Sequence, residues 1–208
     1  MKILSIETTS EMGSIAICEE EIVNEIFFFS KDVAEELISH LEYLLERTHL
    51  TISDFDYIVV SIGPGSWTGI RVGISFAKGL VKGEKEKIYC VSVPESLFFA
   101  IKGFRKPSIC VINAYRGEFY ISFFNGKFLF KNSFRIKKIK REQLESILKE
   151  KKYLVVGPGI LQLKDILKQN CLLPPFYWFP RASFNALVAV EKIKRKIPSQ
   201  LPEPYYGR

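Results

Sequence analysis

The stretch "SIGPGSWTGIRVGISFAKGL", residues 61–80, combines five glycines and one proline with only two charged residues. It follows an apolar strand pattern and opens a helix, so Ser66 or Thr68 is placed to cap the first N–H groups. Such a turn suits an anion. However, it lacks the lysine of a Walker loop, and its spacing is not that of a dinucleotide motif. The glycines therefore indicate either anion binding or a place where another backbone packs closely.

Within the predicted helix, Gly69, Gly73 and Ala77 recur at every fourth residue. Each glycine costs a helix about 1 kcal/mol, so small residues at this spacing indicate a flat face that another helix approaches closely. The remaining positions are mostly apolar: Ile70, Val72, Ile74, Phe76 and Leu80. A helix that is apolar nearly all round is buried on more than one side. The chain's own sheet is expected to cover one side, and either the same lobe or a partner covers the other.

Along the whole chain, the sequence shows the same order of elements twice. A set of strands and then helices fills residues 1–102, and a second set, beginning near "KGFRKP", fills residues 103–208. We predict three strands within 108–136 and a helix over 161–170 in the second set. The repeated order predicts an α/β protein with two lobes of similar topology. The last helix and the tail are expected to pack back on the first lobe or on a partner.

The first lobe carries a second amphipathic helix in "DVAEELISHLEYLLERTHL", residues 32–50, whose apolar stripe includes Leu37, Leu41 and Leu44. This helix and the one in residues 68–81 are predicted to lie side by side. They are the expected site of partner binding.

Composition limits the functional classes. The 208 residues are 47% hydrophobic and 25% charged, as in soluble globular proteins, and the net charge of +7 permits but does not require RNA. No apolar run approaches the roughly 18 residues of a membrane span, and no signal peptide is recognised, which predicts a cytoplasmic protein. The cysteines and histidines lack metal-binding spacing and predict no metal site: Cys18, Cys90, Cys110, Cys171, His40 and His49.

Two further motifs place polar residues where a cleft between lobes would lie. "IETTS", residues 6–10, offers Glu7 and Ser10, and "NAYRGEFY", residues 113–120, offers Asn113, Arg116 and Glu118. Each motif also fits an ordinary strand end or turn, which is the more common interpretation of such residues.

The basic run at 135–141 supplies Arg135, Lys137, Lys138, Lys140 and Arg141. It is compatible with contact to RNA phosphates or with a solvated edge strand.

Together, four motifs resemble the bacterial TsaB (YeaZ) family: "ILSIETTS", "GPGSWTGIRVGISFAKGL", "NAYRGEFY" and the closing "PEPYYGR". The resemblance covers the whole chain. It implies a two-lobed fold of the actin, sugar-kinase and Hsp70 type, with ribonuclease H-like lobes. This chain departs from the family pattern at Glu7 and Asn113, where aspartate is usual, and at Trp67, where phenylalanine is more common.

The resemblance implies a non-catalytic scaffold that binds the transferase TsaD and acts in forming N6-threonylcarbamoyladenosine at position 37 of tRNAs reading ANN codons. TsaE is a further implied partner. A homodimer is implied when the chain is alone, tRNA is reached only through the complex, and no cofactor is needed. The alternative is an enzyme of the same fold, either a nucleotide-binding phosphotransferase or a peptidase.

Carried onto this chain, the resemblance implies a partner interface at Leu37, Leu41, Leu44, Trp67, Gly69, Ile70, Gly73, Ile74 and Ala77. It implies a vestigial cleft at Glu7, Ser10, Asn113, Arg116 and Glu118. The tail at 202–208, with Tyr205, Tyr206 and Arg208, is predicted to dock on the first lobe or on a partner.

Overall fold

Two mixed β-sheets form the frame of the molecule. The computed structural model describes residues 1–19, 21–29, 32–82, 87–127, 130, 134–167 and 171–205. The first sheet has the order β3-β2-β1-β4-β5 and contains β1 Lys2–Glu7, β2 Gly13–Glu19, β3 Glu21–Phe28, β4 Tyr57–Ser61 and β5 Ile88–Val91. The second has the order β10-β9-β6-β7-β8 and contains β6 Ser108–Asn113, β7 Glu118–Phe124, β8 Ile136–Lys140, β9 Leu154–Val156 and β10 Cys171–Leu172.

The two sheets share one topology. In each, the first three strands pair antiparallel, and the first strand also pairs in parallel with the fourth, which pairs in parallel with the fifth. The predicted α/β fold with two lobes of similar topology is therefore confirmed.

In the described part of the chain, five α-helices cover the sheets: α1 Val33–Thr48, α2 Trp67–Leu80, α3 Val93–Ile101, α4 Arg141–Glu150 and α5 Ala182–Lys194. Helices α1 and α2 share a core with one face of the first sheet, and α5, the last helix, packs on its other face. Helix α3, which follows the first sheet in the chain, instead packs on the second sheet, opposite α4. The two lobes thus exchange a helix, and α3 and α5 contact each other where they cross.

Strand β1 shows how the pattern of side chains produces this layering. Leu4 and Ile6 pack toward α1 and α2, whereas Ile3 packs toward α5, since neighbouring side chains of a strand point to opposite faces. All three side chains are fully buried. A strand covered on both faces by helices is largely apolar, which explains the continuous apolar run at the start of β4, Tyr57–Ser61.

The helix predicted over 161–170 is wrong. A 3-10 helix at Pro158–Gln162 is followed by turns as far as residue 166, and residues 168–170 lie outside the described part of the chain. Gly157 has a φ of 107°, and a Cβ on Gly159 would lie 2.8 Å from the carbonyl oxygen of Val111. The chain is therefore bound closely to β6, which fixes it in tight turns.

The third strand of the second lobe is β8, which begins only at the last residue of the range 108–136 in which three strands were predicted. The basic run thus lies mostly on an edge strand, with β8 paired to β7.

After α5 the chain follows the first sheet. Tyr89 Oη donates a hydrogen bond to the carbonyl of Ile197 (2.7 Å), and the Cys90 N–H donates to Ser199 Oγ (2.9 Å). The Tyr205 N–H then donates to the Ile62 carbonyl at 2.9 Å. Residues 197–205 therefore lie along the first lobe, and the remainder of the tail, with Tyr206 and Arg208, lies outside the described residues.

Cys18, Cys90 and Cys110 are buried free thiols, and the side chain of Cys171 is not among those described. Across the part of the chain that the structure describes, no helix combines the length and apolar character needed to cross a membrane.

Candidate functional site

A cleft of about 330 Å³ lies between the two sheets, and we name it the inter-sheet cleft. Its walls come from the turn after β1, the start of α2 and the end of β6. Of the five residues predicted to line it, Ser10 and Asn113 do so. Glu7 lies fully buried at the end of β1, and Arg116 and Glu118 lie on the β6–β7 hairpin.

Glu7 is bound by groups of its own chain. Its Oε1 accepts hydrogen bonds from the N–H (2.6 Å) and the hydroxyl (2.5 Å) of Thr9, and its Oε2 accepts from Asn185 Nδ2 of α5 at 3.0 Å. Burial raises the pKa of Glu7 above its ordinary value, and the hydrogen bonds from Thr9 and Asn185 partly oppose this shift. The carboxyl group thus joins the β1 turn to the last helix.

We predict that Glu7→Gln flattens the pH dependence of stability. Because the pKa of Glu7 is higher in the folded state than its unfolded value of 4.5, its protonation stabilises the folded state. This stabilisation is complete below pH 4.5 and is lost as the pH rises through the pKa of the folded state. Glutamine does not ionise. Asn185 Oδ1 is buried without a partner among the described residues, so a rotated Asn185 amide would accept from the introduced amide. Between about pH 4 and 8, the melting temperature of the variant should rise relative to that of the wild type as the pH increases. Parallel profiles would contradict the prediction.

The other predicted cleft residues also make structural contacts. Ser10 Oγ donates to the Met12 carbonyl (2.8 Å), and Asn113 Oδ1 accepts from the Tyr115 N–H (2.8 Å). Glu118 forms an ion pair with Lys138 of β8. Arg116 occupies a left-handed turn position with φ 53°. The side chains of Ser10, Asn113 and Glu118 thus hold turns and a strand pair in place.

The glycines of α2 permit a close approach within the chain. A Cβ on Gly69 would lie 1.9 Å from the Thr8 carbonyl oxygen, and one on Gly73 would lie 2.4 Å from Thr8 Oγ1. A Cβ on Gly65 would lie 2.2 Å from the Thr9 carbonyl oxygen, which accepts the N–H of Ser66. Thr8 Oγ1 donates to the Gly69 carbonyl at 2.7 Å. The sequence left open whether these glycines bind an anion or allow close backbone packing. The structure shows close packing, because the start of α2 lies against the turn that follows β1.

Most residues predicted for the partner interface are therefore not at the surface. Eight of the nine are buried in the chain's own first lobe, because they face the sheet and each other: Leu37, Leu41, Leu44, Gly69, Ile70, Gly73, Ile74 and Ala77. The exception is Trp67, which is 53% exposed. The assignment of the eight buried side chains to a partner surface is corrected on this ground.

A groove between the outward sides of the same two helices is nevertheless mainly apolar. It has a volume of about 450 Å³ and runs between α1 and α2, and we name it the helix groove; its lining includes Ala34, Ile38, Trp67, Arg71, Val72 and Phe76. Ile38 is 50% exposed. Sequence reasoning missed Ile38 as a surface residue, because Ile38 belongs to the same broad apolar stripe of α1 as Leu37 and Leu41, and periodicity alone does not show which part of the stripe the sheet covers.

His40 of α1 contacts two side chains of its own lobe. Its Nε2 lies 2.9 Å from a Glu36 oxygen, and its ring lies 5.3 Å from that of Phe28. His49 follows the helix in a left-handed conformation. Within the described ranges no group of three or more histidine, cysteine or acidic side chains is arranged to hold a metal ion.

The repeated topology and the cleft between the sheets place the chain in the two-lobed class of actin, sugar kinases and Hsp70. Two solved structures show the same fold over nearly their whole length. "YeaZ from Pseudomonas aeruginosa" has a TM-score of 0.79 at 19% identity and covers 99% of this chain and 100% of that chain. An uncharacterised protein similar to peptidase YeaZ, also from Pseudomonas aeruginosa, has a TM-score of 0.80 at 18% identity, with 100% and 99% covered.

A family model, TsaD: tRNA N6-adenosine threonylcarbamoyltransferase, matches residues 27–191. Named TsaB relatives include that of Buchnera aphidicola subsp. Schizaphis graminum, 28% identical over 82% of this chain and 83% of that protein. The TsaB of Buchnera aphidicola subsp. Acyrthosiphon pisum is 27% identical over 93% and 90%. The Escherichia coli TsaB is 28% identical over 58% of this chain and 53% of that protein. The chain belongs to this family, and within it to the TsaB (YeaZ) group.

Proposed function

We propose that the chain is a non-catalytic subunit that binds TsaD and supports formation of N6-threonylcarbamoyladenosine in tRNA, in the cytoplasm. Its relatives named TsaB are tRNA threonylcarbamoyladenosine biosynthesis proteins. The observation that carries the proposal is the helix groove, an exposed apolar surface on two adjacent helices. In this proposal TsaD packs an equivalent pair of helices against the helix groove. A second copy of the chain occupies the helix groove when TsaD is absent.

The helix groove has the character of an interface centre. Trp67 and Ile38, each about half exposed, lie beside the partly buried Val72 and Phe76. Arg71 lies over the Trp67 ring at 6.0 Å from its centroid. Aromatic residues and arginine dominate binding energy at protein interfaces, because they bury a large area and retain a polar contact. A rigid pair of helices also loses little conformational entropy on binding.

The inter-sheet cleft supports a non-catalytic role. The catalytic alternative needs the predicted carboxylate, Glu7, to face the cleft, but Glu7 is fully buried and bound to Thr9 and Asn185. Glu11, which does line the cleft, is an exposed residue of the turn after β1. Asn113 supports its own turn. We therefore propose no cofactor for this chain. TsaE is proposed to join the complex, and tRNA is proposed to meet it there.

We predict that Trp67→Ala combined with Ile38→Glu weakens association with TsaD at least about thirtyfold, or roughly 2 kcal/mol. The substitutions remove the aromatic anchor and place a charge at the centre of the apolar surface. Binding is measured by titration calorimetry, and self-association by sedimentation. Formation of the modified nucleoside in the reconstituted system should fall in parallel.

The matched control is Phe123→Ala, which removes a comparably exposed ring, 42% accessible, from the second sheet. It should bind TsaD as the wild type does. Unchanged TsaD binding by a folded Trp67→Ala, Ile38→Glu variant would place the interface elsewhere.

A further inference from the structure

A ridge of aromatic side chains lies away from both the inter-sheet cleft and the helix groove. Four rings form a continuous line of contacts, and the distances between ring centroids are 5.9 Å for Phe104–Tyr177, 5.1 Å for Tyr177–Phe176 and 5.9 Å for Phe176–Phe184. Phe27, on edge strand β3, extends this line through Arg181, and we name these five rings the aromatic ridge. The residues come from four separate parts of the chain.

The aromatic ridge is open to solvent. Phe104 is 44% exposed, Phe176 is 53% exposed and Phe27 is 38% exposed. A groove of about 310 Å³ flanks the ridge at Phe176 and Phe27, and another of about 540 Å³ lies between α3 and α5 beside Phe184. Large exposed apolar patches of this kind mark binding surfaces.

Arg181 holds the ridge rigid. Its guanidinium lies 4.0 Å from the ring centroid of Phe176 and 4.2 Å from that of Phe27. Glu25 neutralises its charge through a 3.0 Å contact and also accepts the Ser183 N–H at the start of α5. The rings are therefore preorganised, and Glu25 balances the Arg181 charge within the protein.

The outward charge around the ridge is positive. Phe104 lies in the exposed segment 102–107 beside Lys102, Arg105 and Lys106. Lys194 lines the groove between α3 and α5. Of the acidic residues described beside the ridge, Glu25 contacts Arg181, and Glu191 contacts Arg195 at 3.1 Å.

We propose that the aromatic ridge binds an unpaired RNA strand. Bases stack on the exposed faces of Phe104 and Phe176, and Lys102, Arg105 and Lys106 contact the phosphates. Stacking platforms bordered by cations are how proteins bind single strands, because every base has a stacking face and every nucleotide carries a charge. An apolar peptide would use the rings but not the cations. The inference goes beyond the proposed function and does not depend on the helix groove.

The test uses the full chain and a fluorescein-labelled uridine dodecamer, followed by fluorescence anisotropy at several salt concentrations. The wild type should bind saturably. Phe104→Ala and Phe176→Ala should each weaken binding roughly 5- to 150-fold, as expected for loss of one stacked base. Joint replacement of Lys102, Arg105 and Lys106 by serine should reduce the slope of log affinity against log salt by about 2.

The matched control replaces Arg135, Lys137 and Lys140 by serine, which removes three exposed cations from the edge strand β8 segment. Its affinity and salt slope should stay near those of the wild type. Three outcomes overturn the proposal: no saturable binding by the wild type, unchanged binding by folded Phe104→Ala, or equal losses from both triple variants. Loss of TsaD binding rather than RNA binding by Phe104→Ala would identify a protein interface instead. Melting temperatures establish that each variant is folded.

Discussion

Replacing Gly69 by alanine is expected to destabilise the protein by about 3 kcal/mol or more, at or beyond the upper end of overpacking effects. The new Cβ would lie 1.9 Å from the carbonyl oxygen of Thr8. That oxygen belongs to the buried turn directly after β1, so relief requires α2 to move away from the sheet. Such a shift would also break the hydrogen bond from Thr8 Oγ1 to the Gly69 carbonyl. Equilibrium unfolding in urea measures the loss.

Gly79→Ala in the same helix is the matched control. A Cβ at Gly79 meets no atom within 4 Å, so the substitution should stabilise the protein by up to about 1 kcal/mol through helix propensity. Equal stabilities of the Gly69→Ala and Gly79→Ala variants would show that α2 does not approach β1 as closely as described. Because Gly69 is internal, its replacement tests the fold and not a partner surface.

Lys192→Met is expected to lower the free energy of unfolding by about 3–5 kcal/mol. Lys192 of α5 forms a buried ion pair with Glu95 of α3, and the two residues are 5% and 3% exposed. Glu95 Oε2 also accepts the N–H and the hydroxyl of Ser92, which caps α3. Methionine fills the space of the lysine stem but leaves the Glu95 charge buried without its cation. The cost of that uncompensated charge determines the expected effect.

An exposed pair in the same helix provides the comparison. Arg195 contacts Glu191 at 3.1 Å, with side chains 55% and 35% exposed, so Arg195→Met should change stability by no more than about 0.5 kcal/mol. Adding Glu95→Gln to Lys192→Met should recover part of the loss, since the buried charge is removed. If Lys192→Met and Arg195→Met unfold at the same urea concentration, the Lys192–Glu95 pair does not stabilise the α3–α5 crossing.

This crossing matters for the whole molecule because the two lobes exchange helices there. Helix α3 completes the core of the second sheet, and α5 completes that of the first. Glu7 and Asn185 add a second polar link between β1 and α5. The polar pairs thus fix how α5 sits on the first sheet.

Local patterns in the sequence determined the order of strands and helices and the repetition of that order in two lobes. Alternating and continuous apolar runs identify strands, and helical periodicity identifies α1 and α2, since both signals arise between residues close in the chain. The four motifs also led to the TsaB (YeaZ) group. The helix predicted at 161–170 failed because a close contact of Gly159 with the distant Val111 overrides local propensity.

Only the tertiary structure decided which atoms surround each of these residues. Gly69 and Gly73 have the same spacing whether they meet a partner or Thr8, and the structure places Thr8 there. The sequence alone predicts Glu7 to be a cleft carboxylate. The structure instead places it against Asn185, which is 178 positions away in the chain. Hydrophobic burial depends on area and not on the identity of the neighbour, so a sequence pattern marks which side chains are buried without showing what covers them.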